Sequence, residues 1–134
     1  MDRDPVIAVD FDGTLCESAW PGIGAPNELL IKTLKDFKRW GAKIILWTNR
    51  TGAYEEDAVK WCEEQGLIFD AVNENLPEVY AKFGYMRKIM ADVYIDDKSV
   101  DINYAKTKDW AEKYKWLPEK MIQDKIREVT ANYI

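Results

Sequence analysis

Apolar runs that stop abruptly in polar residues recur along this chain. Val6–Val9 is wholly apolar and gives way to Asp10. Lys43–Thr48 reads Lys-Ile-Ile-Leu-Trp-Thr and passes into Asn49 and Arg50. Leu67–Val72 is a third short run, and Asp92–Ile95 is a fourth that ends in Asp96-Asp97. Runs of this length fit strands buried on both faces. Between them the period changes. Pro26 suits the first turn of a helix, and Leu30, Leu34 and Phe37 follow at helical spacing until Gly41 ends the run. After Gly52, the acids Glu55, Glu56 and Asp57 suit a helix N-terminus, Ala58, Trp61 and Cys62 mark one face, and Gly66 closes the helix. Strand, helix, strand, helix, strand predicts right-handed crossovers. It gives an α/β fold of three layers, a Rossmann-like parallel sheet with helices on both faces.

The other segments carry weaker patterns. Cys16–Ala25 holds Trp20, Pro21, Gly22 and Gly24, which is loop composition. Asn73–Arg87, with Pro77, Gly84 and three aromatic rings, reads as a loop with one helical turn. From Val100 the pattern fades. Pro118 then starts a helix with Ile122, Ile126 and Val129 at i, i+4 and i+7, expected to pack on the sheet or to serve a partner chain. With no repeat or long linker, residues 1–134 are read as a single domain.

Composition narrows the function classes. A chain of 134 residues, 47% hydrophobic and 32% charged, can bury a core and is not a disordered segment. The net charge is −5, and no cluster of Lys and Arg is long enough to mark a nucleic-acid groove. Only a short or single-stranded nucleic acid stays open as a ligand. No stretch is apolar enough to span a membrane and no leader pattern follows Met1–Pro5, so a cytoplasmic location is expected. Two cysteines give no disulfide framework, and Cys16 and Cys62 are read as packing residues. There is no histidine, which leaves carboxylates as the chief candidates for acid, base and hard-metal chemistry.

Those carboxylates stand at strand ends. A parallel sheet brings the ends to one edge, where open α/β folds bind ligands. Asp10 with Asp12, Thr48, and Asp96 with Asp97 meet there. Gathered carboxylates repel one another unless a cation lies among them, and oxygen-only ligands suit Mg²⁺. Mg²⁺ in turn implies a phosphorylated ligand. Asn49 and Arg50, just past the second strand, are candidates for contact with its leaving group.

The run Asp10-Phe11-Asp12-Gly13-Thr14, placed directly after an apolar strand, resembles the Asp-x-Asp-Gly-Thr signature of the haloacid dehalogenase (HAD) superfamily. Most members of that superfamily are Mg-dependent phosphotransferases. The resemblance implies a sheet with the first strand central. It implies Asp10 as the nucleophile and Asp12 as the general acid and base, the latter also a metal ligand through its carbonyl. It implies Thr48 and Lys88 on the transferring phosphoryl group, with Lys82 and Arg87 as rivals of Lys88. Asp96 would bind Mg²⁺, Asp97 would hold a metal-bound water or orient Lys88, and Gly13 and Thr14 would line the substrate. The dehalogenases themselves lack the second aspartate, so Asp12 sets that branch aside.

Cap domains in the superfamily follow the first or third strand, and neither segment here is long enough to fold alone. The chain therefore resembles a capless phosphatase-type member. The short gap from Lys88 to Asp96 and the ending Ile95-Asp96-Asp97 resemble nucleotidase-like members. An open site of this kind goes with a large substrate or with a lid from another copy, hence a homo-oligomer as an expected partner. Trp20, Trp47, Tyr80, Phe83 and Tyr85 are candidates for stacking on a base or sugar. The expected activity is Mg-dependent hydrolysis of a phosphomonoester through an aspartyl-phosphate. The alternatives are a binding or regulatory module with little turnover, and phosphoryl transfer to an acceptor other than water.

Overall fold

The first apolar run forms β1 (Val6–Val9), with all four side chains buried. The structure, a computed structural model, describes residues 4–99, 123–125 and 127–128. After β1 come β2 (Cys16–Ala19) and β3 (Gly22–Pro26), then α1 (Glu28–Arg39), β4 (Lys43–Leu46), α2 (Gly52–Glu64), β5 (Ala71–Val72), α3 (Pro77–Phe83) and β6 (Val93–Ile95).

The sheet order is β5-β4-β1-β6, all parallel, so β1 is internal. The chain steps outward from β1 to β4 to β5 and then returns across β1 to lay down β6. Right-handed crossovers place helices on opposite faces when the direction of travel reverses. The packing agrees. Ile7, Val9, Ile44 and Leu46 face Ile31 and Leu34 of α1 and Ala58 and Cys62 of α2. Val6, Ala8 and Ile45 face the other way, against Leu76, Ile89 and Val79 of α3. Alternate residues of one strand thus seed two cores, which is why β1 had to be apolar throughout.

Four parts of the chain depart from the sequence reading. Cys16–Ala25 is not a loop: β2 and β3 form an antiparallel hairpin with a register shift between Cys16 and Ser18. The third strand shrinks to Ala71–Val72, because Leu67 closes α2 through its amide on the Cys62 carbonyl (2.9 Å) and is buried in the core. Pro26 ends β3, and Asn27 caps α1 by accepting from Leu30 N (3.2 Å). The single turn expected within residues 73–87 is the seven-residue α3, with Pro77 in its first turn.

Contacts divide the chain into two units, Met1–Asp97 and Lys98–Ile134. In the second, residues 123–125 and 127–128 are helical. Arg127 pairs there with Asp124 (3.2 Å) and Lys125 with Glu128 (3.0 Å). Pro118, Ile122, Ile126 and Val129 of the expected last helix lie outside the described residues. Among the described residues no helix is long and apolar enough to cross a membrane.

Candidate metal centre and its surroundings

The chain reverses direction between β1 and β6, and a doubly wound sheet offers its ligand site beyond the C-terminal ends of the strands at such a reversal. The ladder runs one residue past β1, with Asp10 N donating to the Ile95 carbonyl (2.9 Å). This sets Asp10 beside the end of β6, where Asp96 and Asp97 follow. Each of the three offers a carboxylate oxygen, and these oxygens all lie within 4.8 Å of one another. Burial, then the charge of Asp96, push the Asp10 carboxyl up to about 6. Desolvation and a like charge both disfavour ionisation, and a divalent cation would reverse both.

The turn after β1 braces this group. Thr14 and Leu15 donate their amides to the Phe11 carbonyl (3.1 and 2.9 Å). The Thr14 hydroxyl donates to Asp10 Oδ2 (3.1 Å) and accepts from Asp97 N (3.1 Å), so one buried side chain ties two of the three acids together. Gly13 has φ +82°, and a Cβ there would lie 2.4 Å from Asp97 Oδ2. Glycine is thus favoured at position 13 twice, by backbone conformation and by the approach of Asp97.

Asp12 turns elsewhere. Arg50 donates from Nε to its Oδ2 (2.8 Å) and from Nη2 to its Oδ1 (2.7 Å), a two-armed ion pair. The same guanidinium donates to the carbonyls of Pro21 (3.2 Å) and Gly22 (2.7 Å) at the hairpin turn. It lies between the rings of Phe11 and Trp20, 5.0 and 4.9 Å from their centroids. The Arg50 side chain is 1% exposed.

Thr48 lies at the end of β4, its amide on Asn73 Oδ1 (2.7 Å) and its hydroxyl accepting from Arg50 N (3.1 Å). Asn49 beside it is exposed. The Lys88 ammonium lies over the ring of Tyr94 on β6, 5.5 Å from the centroid, and Tyr94 in turn meets Trp47. Its rival Lys82 lines a cavity with Val6, Lys43 and Asp92, at the other end of the sheet.

Two residues that the sequence reading passed over hold this arrangement. Asn73 takes φ 54° and joins Thr48 to Glu55 of α2, donating to Glu55 Oε2 (2.9 Å). Buried Asn75 accepts from Met90 N (2.6 Å) and fixes the segment that carries Lys88. Asparagine's tolerance of the left-handed region was the signal available for Asn73. Nothing in the sequence pointed to Asn75.

Fold and site together define an α/β protein with a cluster of three aspartates at the reversal of its strand order. No protein-family model and no curated protein matches the chain. Among solved structures it is similar to a conserved protein of Bacteroides thetaiotaomicron. Identity is 37%, the match covers 88% of this chain and 93% of that chain, and the TM-score is 0.64. The chain belongs to the family of that Bacteroides protein.

Proposed function

We propose that the chain is a capless HAD-type phosphatase, a Mg²⁺-dependent hydrolase of small phosphate monoesters. The observation that carries this reading is the meeting of Asp10, Asp96 and Asp97 at the strand reversal, directly after the Asp-x-Asp-Gly-Thr run. Those three carboxylates form an oxygen-only donor set of the kind Mg²⁺ accepts. Bound there, Mg²⁺ would neutralise charge between the carboxylates and a phosphoryl group.

The chain's own residues divide the rest of the work. Asp10 attacks phosphorus, forming an aspartyl-phosphate as the bond to the leaving oxygen breaks. Asp12 gives a proton to that oxygen and later takes one from the water that splits the intermediate. Thr48 holds a phosphoryl oxygen, and Lys88 supplies positive charge to the transferring group. Within residues 4–99 both insertions are short: β1 and α1 are joined through the hairpin, and β5 and β6 through seven-residue α3.

The test is phosphate release from a panel of phosphomonoesters, with and without Mg²⁺, in wild type and Asp10→Asn. Mg²⁺-dependent release that disappears in Asp10→Asn is expected. Release that survives the substitution rules out Asp10 as the nucleophile.

A further inference from the structure

We infer that Arg50 is a positioning residue for Asp12, one that fixes the plane of its carboxylate and joins it to the hairpin turn at Pro21–Gly22. This rests on the phosphatase reading above. The sequence places Arg50 among candidates for contact with the leaving group. The structure gives its guanidinium a different set of partners. Nε and Nη2 grip both oxygens of Asp12, at 2.8 and 2.7 Å, while Nη1 and Nη2 hold the carbonyls of Pro21 and Gly22. Phe11 and Trp20 bound it on two sides, and the side chain is almost wholly out of solvent.

Such a fork constrains a carboxylate in a way that a lysine cannot. Two parallel N–H···O contacts fix orientation as well as position, and an ammonium supplies only a point charge. A carboxylate has about four lone-pair positions, and the fork uses one on each oxygen. The second position on each oxygen stays open for the proton that moves to the leaving group. In the first step the Asp10–phosphorus bond forms, the phosphorus–oxygen bond to the leaving group breaks, and the Asp12 proton passes to the departing oxygen. In the second step water returns that proton to Asp12 as its oxygen replaces Asp10 on phosphorus. Arg50 exchanges no proton in either step. Its contribution is geometric, and it extends to the hairpin: the tip that carries Trp20 and the acid are held by one guanidinium.

Leaving-group dependence separates this role from a structural one. A good leaving group such as 2,4-dinitrophenolate departs without protonation, while an alkoxide needs it. Arg50→Lys is expected to lower kcat/KM on an alkyl phosphate by on the order of 10²-fold, and on 2,4-dinitrophenyl phosphate by about threefold or less. In an Asp12→Asn background the same substitution should add little on either ester, because it acts through Asp12. Trp20→Ala, which removes one bounding ring from an exposed position, should show the same asymmetry to a smaller degree. It serves as the readout if Arg50→Lys does not fold. Equal losses on both esters, or a full further loss in the Asp12→Asn background, overturn the role of Arg50 alone. Wild type that releases no phosphate from any ester overturns the phosphatase reading, and this inference with it.

Discussion

An aspartate stands just before β5 and another just before β6, and aspartates stand just after β1 and β6; the two sets have opposite fates. At the N-terminal rim, Asp70 Oδ2 accepts from Ile44 N (2.8 Å) and from Lys38 (3.1 Å). There too Asp92 Oδ2 accepts from Val6 N (2.9 Å). Val6 N opens β1 and Ile44 N is the second amide of β4, and these carboxylates satisfy both. At the C-terminal rim, Asp10, Asp96 and Asp97 face one another. Burial, then the like charge of Asp96, push the Asp10 carboxyl up to about 6. The same side chain closes the sheet at one end and loads it with unfavourable charge at the other. That load has a physical use if a cation and a phosphoryl group arrive to relieve it.

The largest effect that would break this contrast is on turnover. Asp10→Asn should reduce phosphate release by on the order of 10³-fold or more. The same substitution should raise the melting temperature of the Mg²⁺-free protein at pH 7, because it removes a desolvated charge next to Asp96. A variant that loses activity and stability together would erase the distinction between the rims.

Next comes the response to pH and metal. In the Mg²⁺-free protein the Asp10 carboxyl titrates near 6, against about 4 in an unfolded chain. Between those values the folded state binds more protons than the unfolded state. Its contribution to stability therefore falls as pH rises from about 4 to about 6, and levels off above. Mg²⁺ needs the ionised form. Melts from pH 4 to 8 should show stabilisation by Mg²⁺ that is largest at neutral pH and fades below about 6. Chelation should abolish phosphate release, and added Mg²⁺ should restore it.

Substitution at the opposite rim should produce a smaller and different effect. Asp70→Ala leaves Ile44 N without its partner and should lower unfolding free energy by about 1–3 kcal/mol in urea titration. Its kcat per folded molecule should stay near wild type. The smallest expected effect sharpens the picture of the acidic rim itself. Gly13→Ala places a Cβ against Asp97 Oδ2 at φ +82° and should lower stability by about 1–2 kcal/mol. A calorimetric titration should also find weaker Mg²⁺ binding, since Asp97 must move.

What was legible in the sequence follows from what is local. A strand end is a local event, so apolar runs and their terminations point to Asp10, Asp96 and Asp97, which the structure gathers, and to Thr48, which lies just past β4. The order of elements implies the parallel sheet, but the internal place of β1, and with it the reversal, is implied only by the resemblance. The hairpin escaped notice because β2 and β3 are mostly exposed and irregular in register. Their hold on the molecule includes Arg50, which gives no periodic signal. The sequence offers Arg50, with Asn49, as a candidate for contact with the leaving group, and arginines are rarely buried. Its burial depends on Asp12, Phe11 and Trp20, all distant in the chain. Likewise β5 was overestimated: Leu67 and Phe69 are apolar because they pack on the core, which a strand pattern does not distinguish.

The pairing of β6 against β1 has a consequence for biosynthesis. A ribosome delivers Asp10 early, and Asp96 and Asp97 only after both outward crossovers are complete. Until the last strand docks, Asp10 lacks both of the acids that gather beside it. Uptake of a cation by these three acids would therefore report that the sheet has closed.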